Sequence, residues 1–273
     1  DQYVEAGGSF IDTSNIYAHW GPGGPGGESE QLLGRWMKER NNRQHLFLAS
    51  KVGFQYPTVE RGLKASQIEE ECNKSLARMG VDTIDLYYAH VDDRNTPLDE
   101  TLTAFDRLVR AGKVRFIGAS NYSSWRLEQA RWVSKINNWA GFCCIQQRHT
   151  YLRVRPGAST APQVVANDDL LDLCESEQVT LLAYSVLLSG AYTRADRPLP
   201  EQYLSQDSTA RLAALRTVAE EIGATPNQVV LAWMMQSKPS VLPLIAASTP
   251  AQLQENIGAL QLHLSDQQMS RLG

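Results

Sequence analysis

The sequence is poor in cysteine, and its cysteines are not arranged as a metal-binding or redox motif. It has four, Cys72, Cys143, Cys144 and Cys174, and no two of them form a CxxC pair. Cys143 and Cys144 are neighbours in a predicted strand, so their side chains point to opposite faces. This usage argues against a disulfide framework and against a metal centre, and it predicts free thiols in a reducing cytoplasm.

Long apolar runs and clusters of basic residues are also missing. No uninterrupted apolar stretch reaches the roughly 18–20 residues that span a bilayer, and the first residues do not resemble a signal peptide. The formal net charge is −4, without a basic run. Nucleic acids and anionic membranes favour clustered Lys and Arg, so neither is expected as a partner. The sequence predicts a cytoplasmic protein that acts on a small molecule, and it does not define an oligomeric state.

Short apolar runs alternate with helical stretches along the 273 residues, 42% of which are hydrophobic. This alternation indicates parallel strands joined by right-handed crossovers. Seven such strands can be recognised, and their number favours a (β/α)8 TIM barrel with extra helices over an open doubly wound sheet. We expect one barrel domain over residues 1–273, with the first barrel strand upstream of Asp1. Helices are predicted at about 28–41, 66–79, 97–111, from 123, 168–178, 208–222, 226–237 and 249–260, and Ser66 with Glu69 predicts a capping box for the second.

Each apolar run ends at a polar residue of a type that does chemistry. The runs end at or just before Asp12, Lys51, His90, Ser120–Asn121, Gln146, Tyr184–Ser185 and Ser248. A parallel barrel brings the C-terminal ends of its strands to one face, and that face carries the active site. Residues far apart in the sequence are therefore expected to line one cleft.

Six separated segments carry a more specific signal. They read GGSFIDTSNIYAHWGPGGPGGESEQLLGRWMKE, LFLASKVG, YYAHVDD, GKVRFIGASNYS, AYSVLLSG and STPAQLQENIGAL, in that order. In these segments the chain resembles the aldo-keto reductase family over nearly its whole length. The resemblance implies a barrel that binds a nicotinamide cofactor in extended form and carries a catalytic tetrad of Asp, Tyr, Lys and His. The matching positions are Asp12, Tyr17, Lys51 and His90.

The chemistry of carbonyl reduction explains these four residue types. Hydride addition leaves an alkoxide that needs a proton, and the resemblance makes Tyr17 the general acid and base. A lysine cation beside a tyrosine favours the tyrosinate, which gives Lys51 a tuning role. Asp12 would hold the lysine charged, since an unpaired buried ammonium is costly. His90 would orient the substrate carbonyl through a hydrogen bond.

The resemblance also implies which residues bind the cofactor. Ser120, Asn121 and Gln146 match the positions that bond the nicotinamide carboxamide, and Tyr184 matches the aromatic residue that stacks on the ring. Further positions would line the pyrophosphate path and the adenosine end; they are Ser185, Leu187, Gly190, Ser248, Gln252, Glu255 and Asn256.

The chain departs from the family pattern where many members place cations on the 2′-phosphate of NADPH. It has Ala246-Ala247-Ser248 there, and Gln252 where some members have Arg. Arg194 or Arg197, in the loop after the sixth strand, can supply the charge instead, because charge-assisted bonds to phosphate are strong. NADPH is the expected cofactor, with NADH as the alternative.

Three functions remain open from the sequence. The first is an NAD(P)H-dependent carbonyl reductase or alcohol dehydrogenase acting on an aldehyde, a ketone or a sugar. The second is a non-catalytic, redox-sensing regulatory subunit with the same fold, and the third is a lyase that uses Lys51 as a Schiff base.

Two loops add expectations about the substrate. His19 and Trp20 follow Tyr17 closely and can form an aromatic wall of the cleft, and the glycine-rich segment 21–27 reads as a lip over it. That segment lacks the Lys-Ser/Thr of a phosphate-binding loop. Tyr151, Arg153 and Arg155 lie in a long loop and are candidates for contacting a polar or anionic part of the substrate.

Overall fold

A computed structural model describes residues 1–21 and 24–273, so two positions of the glycine-rich segment, Pro22 and Gly23, lie outside the described residues. The strands are β1 (Phe10–Asp12), β2 (Phe47–Val52), β3 (Ile84–Ala89), β4 (Val114–Ser120), β5 (Phe142–Arg148), β6 (Thr180–Tyr184) and β7 (Val241–Pro243). The α-helices are α1 (Gln2–Glu5), α2 (Glu28–Arg40), α3 (Ala65–Met79), α4 (Leu98–Arg110), α5 (Ser124–Asn137), α6 (Asp168–Ser176), α7 (Gln206–Ile222), α8 (Pro226–Gln236), α9 (Pro250–Gly258) and α10 (Asp266–Leu272).

The chain divides into two compact units, residues 7–145 and residues 1–6 with 146–273. In the first unit β1, β2, β3 and β4 pair in parallel and in chain order. All six residues of β3 are buried, which is typical of a parallel strand covered on both faces. The register sets Asp12 opposite Ala49 and Lys51 opposite Tyr88, so the polar ends of β1 and β2 lie at the same edge.

The helices of the first unit follow their strands by amphipathic patterning. In α4 the side chains of Leu98, Leu102, Phe105 and Leu108 are buried at intervals of three and four residues. This spacing places them on one face of the helix.

The capping box predicted for α3 is wrong. The residue before this helix is Lys64, and Ser66 lies inside its first turn. The main-chain N–H of Ala65 donates instead to the carboxylate of Glu100 in α4, at 2.9 Å. The carboxylate of Glu69 pairs with Arg107 of the same helix, so α4 provides the partners that the capping box would have provided.

In the second unit β6 and β7 pair in parallel, with Leu182 opposite Leu242. Several helices there begin with a side-chain cap. Side chains of Ser205 and Thr225 accept hydrogen bonds from the first turns of α7 and α8, and Thr249 does the same for α9. Such caps satisfy main-chain donors that have no partner within the helix.

In residues 1–21 and 24–273 no helix combines the length and the apolar character that a bilayer crossing requires. Over the same residues no group of three His, Cys, Asp or Glu side chains is placed to hold a metal ion. The adjacent cysteines face opposite ways as expected, with Cys143 exposed and Cys144 buried.

Candidate active site

The ammonium group of Lys51 lies at the centre of the first unit's polar strand ends. Its Nζ donates to a carboxylate oxygen of Asp12 in a very short contact, to the main-chain oxygen of Thr13 at 2.8 Å and to the phenolic oxygen of Tyr17 at 3.0 Å. An ammonium has three N–H donors, so all three are engaged. Since the Tyr17 oxygen accepts from Lys51, its own O–H proton is left to point elsewhere.

Strand pairing brings these groups together. Asp12 is the last residue of β1, and the N–H of Thr13 continues the pairing by donating to the oxygen of Ala49 at 2.9 Å. His90 directly follows β3, and its N–H donates to the oxygen of Val52 at 2.8 Å. Consecutive neighbours in a parallel sheet therefore place three of the four predicted tetrad side chains, Asp12, Lys51 and His90, while Tyr17 lies in the turn after β1.

The charge of Lys51 is stabilised against its burial. The side chain is fully buried, and burial alone lowers the pKa of a lysine, but the Asp12 carboxylate and the Tyr17 phenol raise it. The net result is a Lys51 pKa above the ordinary value. The ammonium is therefore charged at neutral pH and acts on Tyr17 as a fixed positive charge at hydrogen-bond distance.

His90 is held neutral beside this cation. Burial and the charge of Lys51 keep the pKa of His90 well below its ordinary value. Its Nδ1 lies 3.3 Å from the hydroxyl of Ser14, and its ring meets the ring of Phe54 edge-on at 4.7 Å. A neutral imidazole has one N–H donor and one acceptor, and either Nδ1 or the Ser14 hydroxyl can be the donor in this contact.

The neutral state of His90 predicts a pH dependence of stability. A histidine whose pKa is depressed by folding stabilises the fold above its unfolded pKa, and that contribution is lost as the pH falls below about 6.5. We expect His90→Gln to gain about 1.4 kcal/mol relative to the native chain between pH 7.5 and 5.5. Urea unfolding of both proteins at the two pH values measures this, and a constant difference between them would contradict it.

Aromatic side chains surround the open side of this cluster. The ring of Trp20 lies 6.3 Å from that of Tyr17 and meets His19 edge-on at 5.5 Å. Trp20 is 70% exposed, an unusual position for the largest apolar side chain. Phe54 packs against His90. Aromatic side chains therefore lie on both the Trp20 side and the His90 side of Tyr17.

The turn that carries Tyr17 is anchored from behind by a network that the sequence analysis did not identify. Asn15 donates to the carboxylate of Glu71 at 2.8 Å, and the hydroxyl of Tyr56 donates to the same oxygen at 2.6 Å. Glu71 is buried. Burial raises a carboxyl pKa, but the bonds from Tyr56, Asn15 and Lys74 outweigh it and lower the pKa of Glu71.

A second buried carboxylate supports the strand that carries Lys51. Ser50 donates to Glu30 at 2.5 Å, and the guanidinium of Arg78 forms ion pairs with both Glu30 and Glu71. Burial raises the pKa of Glu30 despite Arg78. The only sequence signal for this network is that two helix positions facing the core, Glu30 and Glu71, hold acids where apolar residues are the rule.

Ser120 and Asn121, predicted to bind the carboxamide, are tied to the same cluster. Both are buried. The amide nitrogen of Asn121 donates to the main-chain oxygen of His90 at 2.9 Å and to the hydroxyl of Ser120 at 3.1 Å. Asn121 has a φ of 56°, a left-handed conformation that Asn tolerates better than most residues.

In the second unit, the residues predicted for the pyrophosphate and adenosine line one cavity of about 610 Å³. They are Ser185, Leu187, Gly190, Ser248, Gln252, Glu255 and Asn256. Two internal bonds shape its wall: Gln252 accepts from the N–H of Ser248 at 2.8 Å, and Glu255 accepts from Thr225 at 2.7 Å. Seven positions spread over more than seventy residues thus converge on one groove.

The loop after β6, which forms one wall of this groove, has strained main chain. Ser185, Leu188 and Ser189 have φ values of 58°, 47° and 58°. Left-handed conformations cost non-glycine residues about 1 kcal/mol or more, and such strain concentrates at ligand-binding segments.

Two cations of the groove are Arg194 and Arg197, the residues predicted to bind the cofactor phosphate. Both line the cavity. The guanidinium of Arg194 forms two hydrogen bonds with the exposed Asp196, at 3.0 and 2.5 Å. Of the remaining predicted cofactor residues, Gln146 is buried in β5, and Tyr184 is the half-buried last residue of β6.

The long loop after β5 separates the three residues that the sequence grouped. Tyr151 is buried, and its hydroxyl donates to the main-chain oxygen of Arg211 at 3.1 Å. Arg155 pairs with Glu201 at 2.8 Å. Arg153 and Tyr151 both line a cavity of the second unit that shares no residue with the groove of Ser248.

Comparison with known proteins identifies the family. A model of the aldo/keto reductase family matches residues 1–273. The chain belongs to the aldo/keto reductase family. Among its relatives is norsolorinic acid reductase stcV of Emericella nidulans, 30% identical over 98% of this chain and 68% of that protein. Aldo-keto reductase yakc [NADP(+)] of Schizosaccharomyces pombe is 28% identical over 96% of the chain and 77% of that protein.

A solved structure confirms the fold class. The thermostable aldo-keto reductase Tm1743, crystallised with the inhibitor epalrestat, superposes with a TM-score of 0.76 at 29% identity. The match covers 99% of this chain and 83% of that one. The (β/α)8 barrel class predicted from the sequence is therefore correct, and membership of the family makes the protein an oxidoreductase.

Proposed function

We propose that the protein is an NAD(P)H-dependent carbonyl reductase that works in reverse as an alcohol dehydrogenase, with Tyr17 as its general acid and base. The observation that carries this proposal is the 3.0 Å hydrogen bond from Lys51 to the Tyr17 oxygen. It sets a permanent cation against a phenol whose proton remains available.

Each of the four side chains has a separate role in the proposed reaction. Tyr17 donates its proton to the substrate oxygen as the carbonyl is reduced, and Lys51 stabilises the tyrosinate that remains. Asp12 keeps the ammonium oriented. In the tautomer in which Nδ1 accepts from Ser14, the neutral His90 orients the carbonyl oxygen by a hydrogen bond from its Nε2–H. In the oxidation direction the tyrosinate takes the proton back.

The residues of the second unit's groove fit a dinucleotide. Hydroxyls, amides and two arginines suit a diphosphate and a ribose. We assign Ser120 and Asn121 to the carboxamide, with Gln146, and Tyr184 to the ring. When bound, the cofactor supplies the hydride.

The four cysteines form no disulfide, which supports a reducing cytoplasm as the compartment.

NADPH is the proposed cofactor, with Arg194 and Arg197 in place of the cations missing from positions 246–252. Both line the groove, and the relative yakc carries NADP(+) in its name. Arg194 is held by Asp196, which reduces the charge that it can offer a phosphate. We therefore expect only a modest preference over NADH.

Ser248→Arg tests this map of the groove. Ser248 is exposed at its rim, so an added guanidinium reaches solvent without repacking. We expect the ratio of the dissociation constants for NADH and NADPH to rise about tenfold or more, since charge-assisted bonds to a phosphate are strong. Titration calorimetry with both cofactors measures it.

Ser66→Arg is the matched control, because it adds the same charge to the exposed face of α3. It should leave the ratio unchanged. An equal ratio in all three proteins would mean that the 2′-phosphate is bound elsewhere.

We propose aromatic aldehydes or ketones as the substrate class, ahead of sugars. Trp20, Phe54 and the ring of Tyr17 itself offer flat apolar surfaces, and aromatic pairs add affinity beyond their buried area. The relative stcV is named as a norsolorinic acid reductase.

A panel of aryl, alkyl and sugar carbonyls, followed through nicotinamide absorbance with both cofactors, tests the function. Aryl carbonyls should show the highest kcat/KM. If the cofactors bind but nothing on the panel turns over, the proposal fails, and the redox-sensing regulatory subunit becomes the better account.

A further inference from the structure

The second unit holds another cavity, of about 630 Å³, whose lining is rich in positive charge. Arg153, Arg211 and Lys238 all line it, against one acidic residue, Asp168. In the described part of the chain none of the three cations has a carboxylate side chain within ion-pair distance. Surface arginines and lysines elsewhere in the chain are commonly paired, as Arg155 is with Glu201.

Arg211 is the unusual member of this set because it is buried, with only 8% of its surface exposed. Its Nε donates to the main-chain oxygen of Tyr151 at 3.0 Å, and its Nη2 to that of Gly273 at 3.2 Å. Burial lowers the pKa of Arg211, and the charge of Arg153 adds to this, while Tyr151 and Asp207 offset part of the shift. Placing a charge in such a site is costly unless an opposite charge compensates it.

Aromatic rings form the other wall of the cavity. The ring of Trp233 stacks on that of His149 at 6.0 Å and meets Tyr151 edge-on at 5.3 Å. The guanidinium of Arg211 lies 4.3 Å from the centre of the Tyr151 ring. Burial and the charge of Arg211 lower the pKa of His149 to about 4, so this ring is neutral and adds an apolar face rather than a fourth cation.

We propose that this cavity is a second ligand site that binds a small aromatic carboxylate. The carboxylate would pair with Arg211, Arg153 and Lys238, and the ring would pack against the partly exposed Trp233. A volume of about 630 Å³ is within the range of small-molecule pockets, which combine apolar walls with a few convergent polar groups. Arginine forks suit a carboxylate in particular.

The site is tested by calorimetry with 2-naphthoate, using the neutral 2-naphthamide and inorganic phosphate as comparison probes. The native chain should bind 2-naphthoate at least tenfold more tightly than either. Equal affinity for the amide would show that charge is not recognised, and equal affinity for phosphate that the ring is not. Either result, or no detectable binding of 2-naphthoate, would overturn the proposal.

The double variant Arg153→Ala/Lys238→Ala locates the binding. Both side chains are exposed, so their removal should leave the fold intact, as a melting curve would verify. We expect the dissociation constant for 2-naphthoate to rise about tenfold or more. Arg216→Ala removes an exposed arginine of α7 outside the cavity and should have no effect.

An unchanged constant in the double variant would mean that 2-naphthoate binds elsewhere, such as beside Tyr17, and the second site would be refuted. The measurement involves no turnover. Its failure therefore leaves the proposed reductase function standing, and a failed carbonyl panel leaves this site standing.

Discussion

Tyr17→Phe should reduce turnover about 1,000-fold while cofactor affinity stays nearly unchanged. The variant keeps the ring and its packing beside Trp20 but removes the phenolic group that is hydrogen-bonded to the Lys51 ammonium. General acid catalysis typically contributes about 10²–10⁴-fold, and the estimate lies within that range. Single-turnover kinetics with an aryl aldehyde, together with calorimetry of NADPH binding, measure the two quantities.

Tyr87→Phe is the matched control for this loss. Tyr87 is fully buried in β3, and its ring packs against Phe105 at 5.9 Å. Losing this phenol should alter stability slightly and turnover hardly at all. Comparable turnover in Tyr17→Phe and the native chain would remove Tyr17 from the acid role.

Lys51→Met should abolish activity at neutral pH and also destabilise the fold. Methionine fills the volume but cannot stabilise a tyrosinate, so the pH profile of alcohol oxidation should move upward. It also leaves the Asp12 carboxylate, whose side chain is only 13% exposed, without its partner. Breaking a buried pair by removing one member costs about 3–5 kcal/mol, and urea unfolding will show the loss.

The double variant Asp12→Asn/Lys51→Met separates the two effects. Removing the stranded charge should restore most of the stability but none of the activity. If the double variant regains turnover, or if Lys51→Met alone retains an unshifted pH profile, Lys51 acts only in folding.

The strand ends could be located from the sequence because parallel pairing leaves little freedom there. Once β1, β2 and β3 are recognised as consecutive neighbours, the residues at their C-terminal ends must share an edge. This places Asp12, Lys51 and His90 near one another. The predicted bounds of the helices agree with the structure to within about two or three residues. The spacing of apolar residues and the glycines at helix ends act locally, so they predict helix bounds without knowledge of tertiary contacts.

Partners from distant elements were beyond such reasoning. The main-chain N–H of Ala65 at the start of α3 donates to Glu100 of α4. This tertiary contact takes the place of the capping box predicted at Ser66. The sequence does not show which distant side chains the buried acids Glu30 and Glu71 would bond. Only the fold shows that Asn15 and Ser50 reach them.

The loop after β5 shows a further limit. Tyr151, Arg153 and Arg155 are close in sequence and chemically alike, which favoured one shared role. The structure buries Tyr151, exposes Arg153 at a cavity that Tyr151 also lines, and pairs Arg155 with Glu201. Side-chain direction in an irregular segment depends on its tertiary surroundings, which no residue spacing encodes.

The saturated ammonium of Lys51 has one more consequence. An amine attacks a carbonyl carbon through its lone pair, and this nitrogen has none to offer while it is protonated. Asp12 and Tyr17 raise its pKa, and the oxygens around it accept every N–H. Imine formation would require breaking all three bonds and discharging the nitrogen against its surroundings. The contacts that suit this lysine to support a proton donor therefore disqualify it as a nucleophile, and they set the chain apart from barrel lyases that work through a covalent lysine.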